Sequence, residues 1–298
     1  MFVVTYRKYF YILSALITVA ALAAIIVWGL KLGIDFKGGS IIEVEYAETR
    51  PEQATLATAL VPLALNESIR PTGENGYIIR MRTIDQAEKE SLSSVLSQFG
   101  TSTEKRFDSI GPLLGSEALR KSYASIALVL IAIVLFIAYA FRHVSQPVSS
   151  WKYGIVAIVA LLHDVIVPTG AFALLGHFKG YEVDTLFVTA LLVVLGFSIH
   201  DTIVVFDRVR ENLKNDGDKK PFTDIVGQSI SQTFTRSINT SLTTLLALIV
   251  LYFVGGESTH HFALALIIGI ITGTYSSIFL ASPLLVTIQK WQEKKGKK

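Results

Sequence analysis

Residues 186–206 read LFVTALLVVLGFSIHDTIVVF, an apolar run interrupted by a few hydroxyls and by one His200-Asp201 pair. A helix that crosses a bilayer needs about 20 predominantly apolar residues, and this run supplies them. Five further windows qualify: Tyr9–Leu30, Tyr123–Phe141, Tyr153–Leu175, Thr235–Val254 and Phe262–Ile288. The chain therefore reads as a polytopic α-helical membrane protein with six transmembrane helices. In the first window Ala21-Leu22-Ala23 has the look of a signal-peptide cleavage site. The apolar run continues past it through Ile25, Ile26, Val27 and Trp28, too far for a signal peptide, so an uncleaved first span is expected.

Composition agrees. Of 298 residues, 51% are apolar and 17% charged, against about a quarter charged in an average soluble domain, and mean hydropathy is +0.50. An ordinary soluble enzyme is excluded. So is a fibrous or disordered chain, since no low-complexity tract appears and only 8 prolines are present. The absence of cysteine removes disulfide frameworks, thiolate zinc sites and cysteine nucleophiles. The charges are unevenly spread: residues 31–121 hold 11 Lys/Arg and 13 Asp/Glu, 24 of the 51 charges.

Lys and Arg in short loops orient the spans. One set of ends carries Arg7, Lys8, Arg142, Lys152, Arg208, Arg210, Lys214, Lys219 and Lys220, and finishes with Lys290, Lys294, Lys295, Lys297 and Lys298. The opposite short loops, 176–185 and 255–261, offer Lys179 against Glu182, Asp184 and Glu257. Both termini are therefore expected in the cytoplasm. The long insert must lie outside, because long domains cross regardless of their basic residues. The expected plan is 1–30 for the N-terminus and first span, 31–121 for the exported domain, 122–289 for five more spans, and 290–298 for a basic tail. The basic clusters serve topology, so no nucleic-acid partner is expected.

The insert reads as an α+β domain. Ile42, Val44 and Tyr46 alternate with Glu43 and Glu45, as in a half-buried strand. Pro51 opens a helix with Leu56, Leu60 and Leu63 on one face. Two short strands follow, the second over Tyr77–Met81. Thr83 with Gln86 then forms a candidate capping box for a helix that stops at Gly100. A last strand near Thr103–Phe107 gives β-α-β-β-α-β, the ferredoxin-like order. This domain has no histidine, no nucleophile–base pair and no phosphate loop. It reads as a binding or docking module.

Ionisable residues inside spans are functional candidates by default. Span three contains His163-Asp164, span four His200-Asp201, and span five opens on Arg236 followed by Asn239, Thr240, Ser241, Thr243 and Thr244. Spacings of three and four put Arg236, Thr240 and Thr243/Thr244 on one stripe, which must face helices or water. An Asp201–Arg236 pair is inferred, with the chemistry of a proton relay, and His200, Asp164 and Thr240 are secondary candidates. Plainer readings are snorkelling of Arg236 to the headgroups and a structural hydrogen bond from Asp201 to span five. No histidine pair has metal-ligand spacing with a third partner, so neither a metal nor a cofactor is expected. Ala265, Gly269, Gly273, Ser277 and Ala281 form a small-xxx-small packing stripe in span six. Phe222, Ile225, Val226, Ser229, Ile230 and Thr233 outline an amphipathic helix, near 222–233, expected at the cytoplasmic interface.

The heptapeptide Gly33-Ile34-Asp35-Phe36-Lys37-Gly38-Gly39 resembles the signature that follows the first span in the SecD/SecF family of protein-export membrane proteins. Residues 196–212, GFSIHDTIVVFDRVREN, resemble the family's fourth-span motif, and Arg236-Ser237-Ile238-Asn239-Thr240-Ser241 resembles the start of its fifth span. The likeness runs in order over essentially the whole chain, and the short exported domain matches the branch with the smaller of the two domains. The resemblance implies a membrane fold of the resistance–nodulation–division type in the bacterial cytoplasmic (inner) membrane. It implies pairing with SecD, association with the SecYEG channel, and more remote links to YajC and SecA. It implies a non-enzymatic role that uses protons, through the proton-motive force, to draw the translocating polypeptide outward after the SecA-driven ATP-dependent step. It ties Asp201 and Arg236 to proton transport, together with an aspartate that SecD supplies. One departure stands out: His200 occupies a position that is commonly Asn in the family. Two other functions fit the same residues, half of a proton-coupled small-molecule exporter and a passive scaffold of the translocase.

Overall fold

Apolar runs of the right length become continuous helices in the computed structural model, which describes residues 2–141, 150–216 and 219–296. Six of these helices are long and apolar enough to cross a membrane. In chain order the elements are α1 (Arg7–Trp28), β1 (Gly39–Tyr46), α2 (Gln53–Leu60), β2 (Ser68–Thr72), β3 (Gly76–Met81), α3 (Gln86–Ser97), β4 (Ser102–Ile110), α4 (Pro112–Ala140), α5 (Ser150–Lys179), α6 (Thr185–Asp216), α7 (Phe222–Val254), α8 (Glu257–Tyr275) and α9 (Ser282–Gly296). Short helical turns occupy Phe2–Thr5, Ile34–Lys37 and Val61–Leu63, and a π-helical turn, Ser276–Ala281, joins α8 to α9 into the sixth span. Arg142, Lys297 and Lys298, counted above for charge bias, lie outside the described residues.

Two compact units result. One is Leu32–Tyr123 together with Val183–Thr185, and the other contains the membrane helices. In the first, β2-β3-β1-β4 form one antiparallel sheet. That strand order with β-α-β-β-α-β connectivity is the ferredoxin-like arrangement. Its core is the alternating face of β1 (Ile42, Val44, Tyr46) and β3 (Tyr77, Ile79, Met81) against Leu56 and Leu60 of α2 and Leu92 and Leu96 of α3. Two local expectations shift. The capping box of α3 is Asp85 with Glu88, not Thr83 with Gln86. Thr83 instead donates its hydroxyl to the carbonyl of Ile110 on β4, which takes it out of capping range. Helix α2 starts at Gln53, because the Pro51 carbonyl is occupied by the Tyr77 hydroxyl at 2.6 Å.

In the membrane unit, α5, α6 and the sixth span carry most of the buried residues. The small-residue stripe is buried throughout and sets α8 against α6 in register. A Cβ on Gly269 would meet Val194, one on Gly273 would meet Ser198, and Ser277 bonds Thr202. The expected interfacial helix does not stand apart. Helix α7 runs unbroken over Phe222–Val254, and its buried face passes from Phe222, Ile225, Ser229 and Thr233 straight into Ser237 and Ser241. The amphipathic stripe is thus one stripe, continued by small polar residues, and it packs into the core.

Candidate functional site

The ionisable residues of the spans fall into two groups on neighbouring turns. Asp164, on α5, is fully buried. Its Oδ2 accepts from Ser198 Oγ of α6 at 2.5 Å and from Ser276 Oγ at 2.7 Å, while its Oδ1 lies 2.9 Å from His163 Nδ1. Both oxygens are engaged by three different spans. The geometry of Ser276 depends on the π-helical turn, whose extra residue in the turn brings both consecutive residues Ser276 and Ser277 into the interior. Pro283 provides a physical reason for that turn, because it has no N–H for the carbonyl four residues earlier. Pro168 on α5 likewise offers no N–H to the carbonyl of Asp164.

Asp201 is arranged differently. It is also buried, and its Oδ1 accepts from Ser237 Oγ of α7 at 2.5 Å. Its Oδ2 is buried with no hydrogen-bond partner. Such an atom is rare in native interiors and calls for an explanation. Around it, Ser241 bonds both the carbonyl of Ser237 and the hydroxyl of Thr274. Thr202, adjacent in sequence, bonds Ser277 at 2.8 Å. Thr202 and Ser241, which flank Asp201 and Ser237 on their helices, are thus engaged with the sixth-span region, and Ser237 is the hydroxyl donor to Asp201.

The direct Asp201–Arg236 pair drawn from the spacing does not form. Arg236 is one residue from Ser237, so it points about 100° away around α7 and is exposed, although its charge lies within electrostatic range of Asp201. It lines a cleft of about 340 Å³ between α6 and α7, with Asp207, Arg208, Glu211 and Gln232 on the other walls. Thr240 and Thr243 share that exposed face and return their hydroxyls to carbonyls of their own helix. His200 is likewise exposed. The structure thus gathers Asp164 and Asp201 inside the bundle and leaves Arg236, Thr240 and His200 on its surface. Among the described residues, no group of three His, Asp or Glu side chains could hold a metal.

Sequence reasoning missed the serines. Ser198, Ser237 and Ser276 are the direct donors to the two carboxyls, yet serine in an apolar helix looks like a small packing residue. A signal existed for Ser237, which extends the i, i+3, i+4 stripe from Phe222 to Thr233. None existed for Ser276, whose position depends on the π-helical turn.

A sequence profile of the protein export membrane protein SecD/SecF C-terminal region matches residues 91–291, and a SecD/SecF GG-motif profile matches residues 23–49. The chain belongs to the SecD/SecF family. It is 45% identical to the protein translocase subunit SecF of Thermobaculum terrenum, over 98% of this chain and 94% of that one. It is 33% identical to the protein translocase subunit SecDF of Bacillus subtilis, over 98% of this chain but 38% of that longer one. The crystal structure of SecDF, a translocon-associated membrane protein from Thermus thermophilus, superposes with a TM-score of 0.83 at 31% identity, covering 96% of this chain and 38% of that chain. The SecD/SecF chain described here therefore spans about two fifths of the SecDF chains it matches. With six apolar spans and this family membership, it is a multi-pass membrane protein.

Proposed function

We propose that this chain is a non-enzymatic auxiliary subunit of the Sec translocase. It works with SecD at the SecYEG channel and uses the proton-motive force to promote export after the SecA step. In this reading the termini face the cytoplasm, the ferredoxin-like unit faces outward, and Asp201 is the proton-carrying group. The observation that carries it is the buried, unpartnered Oδ2 of Asp201. A carboxylate oxygen without a donor in an apolar interior is costly when ionised and comfortable when it holds a proton. The cleft walled by Asp207, Glu211 and Arg236 lies between the same two helices that carry Asp201 and its donor Ser237, and offers space for water there. The cation of Arg236 offers the ionised form a nearby counter-charge. Loading and release of one proton then require only that Ser237 and Arg236 exchange as the groups facing Asp201. Asp164, engaged on both oxygens, is the anchor that holds the three spans around the site.

The test is Asp201→Asn in vesicles that also contain SecD and SecYEG. The part of export that an imposed proton gradient stimulates should fall at least about a hundredfold, the low end for loss of a proton-transfer group, while ATP-driven export persists. Full gradient stimulation in the variant overturns the relay and leaves a scaffold.

A further inference from the structure

The helix that carries Asp201 begins inside the ferredoxin-like unit. Residues Val183–Thr185 group with Leu32–Tyr123, and Thr185 is the first residue of α6. Three contacts place it there. Leu32 pairs with Val183 in an isolated parallel bridge, and the amide of Gly33 donates to the Val183 carbonyl at 2.9 Å. The third is made by Asp35, whose Oδ2 accepts from the Thr185 amide at 3.0 Å and from the Thr185 hydroxyl at 2.5 Å. The first amides of a helix have no acceptor within it, and a carboxylate at that end is favoured by the helix dipole. Here the acceptor comes from 150 residues earlier in the chain.

The segment that bears Asp35 is held rigidly on its other side. Gly38 has φ +78 and its missing Cβ would lie 2.7 Å from Pro112 Cα. Gly39 has φ +133 and would place a Cβ 2.8 Å from the Met81 carbonyl oxygen of β3. Gly115 approaches Phe36 and Gly38 equally closely. The two glycines are therefore required by close backbone approach. They wedge the short helix Ile34–Lys37 against β3 and the start of α4.

We propose that Asp35 is a positioning residue that fastens the head of α6 to the ferredoxin-like unit, so that movement of this unit is passed along one uninterrupted helix to Asp201. Sixteen residues separate Thr185 from Asp201, about 24 Å of helix. The inference rests on the proton-relay reading of Asp201, and the experiment keeps the two apart.

Gradient-stimulated export is measured in vesicles containing SecD and SecYEG, with ATP-driven export in the same vesicles as reference. The full chain carries Asp35→Ala, Asp35→Asn or Asp201→Asn. A fourth form adds Leu32→Cys and Val183→Cys to Asp35→Ala, which introduces the chain's only two thiols at the bridged pair. Asp35→Ala should cut gradient stimulation about fivefold, the worth of a lost helix cap. Asp35→Asn, which still presents an acceptor oxygen, should keep most of it. Oxidising the cysteine pair should restore stimulation, and a reductant should abolish the rescue. Full stimulation in Asp35→Ala beside a defective Asp201→Asn overturns the fastening alone. A defect in Asp35→Ala that the oxidised pair does not repair overturns it too, since Asp35 then acts by another route. Undiminished stimulation in Asp201→Asn removes the relay, and the fastening with it.

Discussion

Asp164 and Asp201 each follow a histidine in nearly identical words, LHDVIV and IHDTIV, yet their surroundings assign them different work. Removing the Asp164 carboxyl strands His163 Nδ1 and the hydroxyl of Ser198 in the interior, while the Ser276 hydroxyl keeps the Gly273 carbonyl as acceptor. At roughly 1 kcal/mol or more for each of these two stranded groups, Asp164→Ala should cost at least about 2 kcal/mol, read as a lowered unfolding temperature of the full chain in detergent. Asp201→Asn keeps an acceptor for Ser237, so its unfolding temperature should stay within about 3 °C of the parent. Equal losses in the two variants would erase the distinction between anchor and carrier. A second residue-scale effect lies in the ferredoxin-like unit. Arg82 grips both oxygens of Glu88, and the Asp85 amide adds a third bond. Arg82 first, then the Asp85 amide, hold the Glu88 carboxyl below the usual glutamate range. A depressed folded-state value means that the stabilisation is fully present above the ordinary glutamate value of about 4.3 and is lost as pH falls through the lower folded value. The stability gap between the parent and Glu88→Gln should therefore close on acidification from pH 6 to 3. A gap that persists at the acid end would point to shape, not charge.

Between helices, the closeness of approach decides which substitutions can be repaired. A Cβ on Gly269 would lie 2.2 Å from Val194 Cγ2, the end of a side chain. A Cβ on Gly170 would lie 2.4 Å from Ala21 Cα, which is backbone. Both Gly→Ala changes should cost about 1–3 kcal/mol by overpacking. Adding Val194→Ala should recover Gly269→Ala, whereas Ala21→Gly should leave Gly170→Ala uncorrected because the α1 backbone itself is in the way. Thermal unfolding of the four variants measures this, and recovery of both pairs would mean that the helices simply move apart. The same scale shows what was legible. Apolar length located all six spans, and the four-residue recurrence from Ala265 to Ala281 identified the face that meets α6. The continuity of α7 was misread because a stripe that turns from Phe and Ile to Ser looks like an ending when only hydrophobicity is followed. The capping box was displaced by two residues because Thr83 and Asp85 both carry a capping side chain, and only the bond from Thr83 to β4 separates them. The π-helical turn has no periodic signature, so the inward turn of Ser276 was invisible. Asp201 was legible as a rare buried charge; its unpartnered oxygen was not.

At the scale of the membrane unit, α5, α6 and the sixth span form the interior, while α1, α4 and α7 expose apolar side chains such as Leu16, Leu128 and Leu246. Only on α7 does the exposed face of the membrane-embedded part also carry Arg236, Asn239, Thr240 and Thr243, among the described residues of these three helices. The threonine hydroxyls are satisfied by their own helix, but a guanidinium and a carboxamide facing hydrocarbon are expensive. The faces of α1 and α4 can meet lipid at no such cost. This face of α7 is thus expected to be covered by the membrane helices of SecD, the partner in the proposed function. Because the chain has no cysteine, a single Thr243→Cys provides a unique thiol on this face, and Leu128→Cys provides a control on α4. A short thiol-to-amine or photoactivated crosslinker attached at Thr243→Cys should join the chain to SecD in vesicles, and the same crosslinker at Leu128→Cys should not, because one face is in contact and the other is not. Crosslinking from Leu128→Cys alone would move the SecD contact to α4. The polar face of α7 would then have to be lined by water, and Arg236 would open directly into an aqueous path to Asp201.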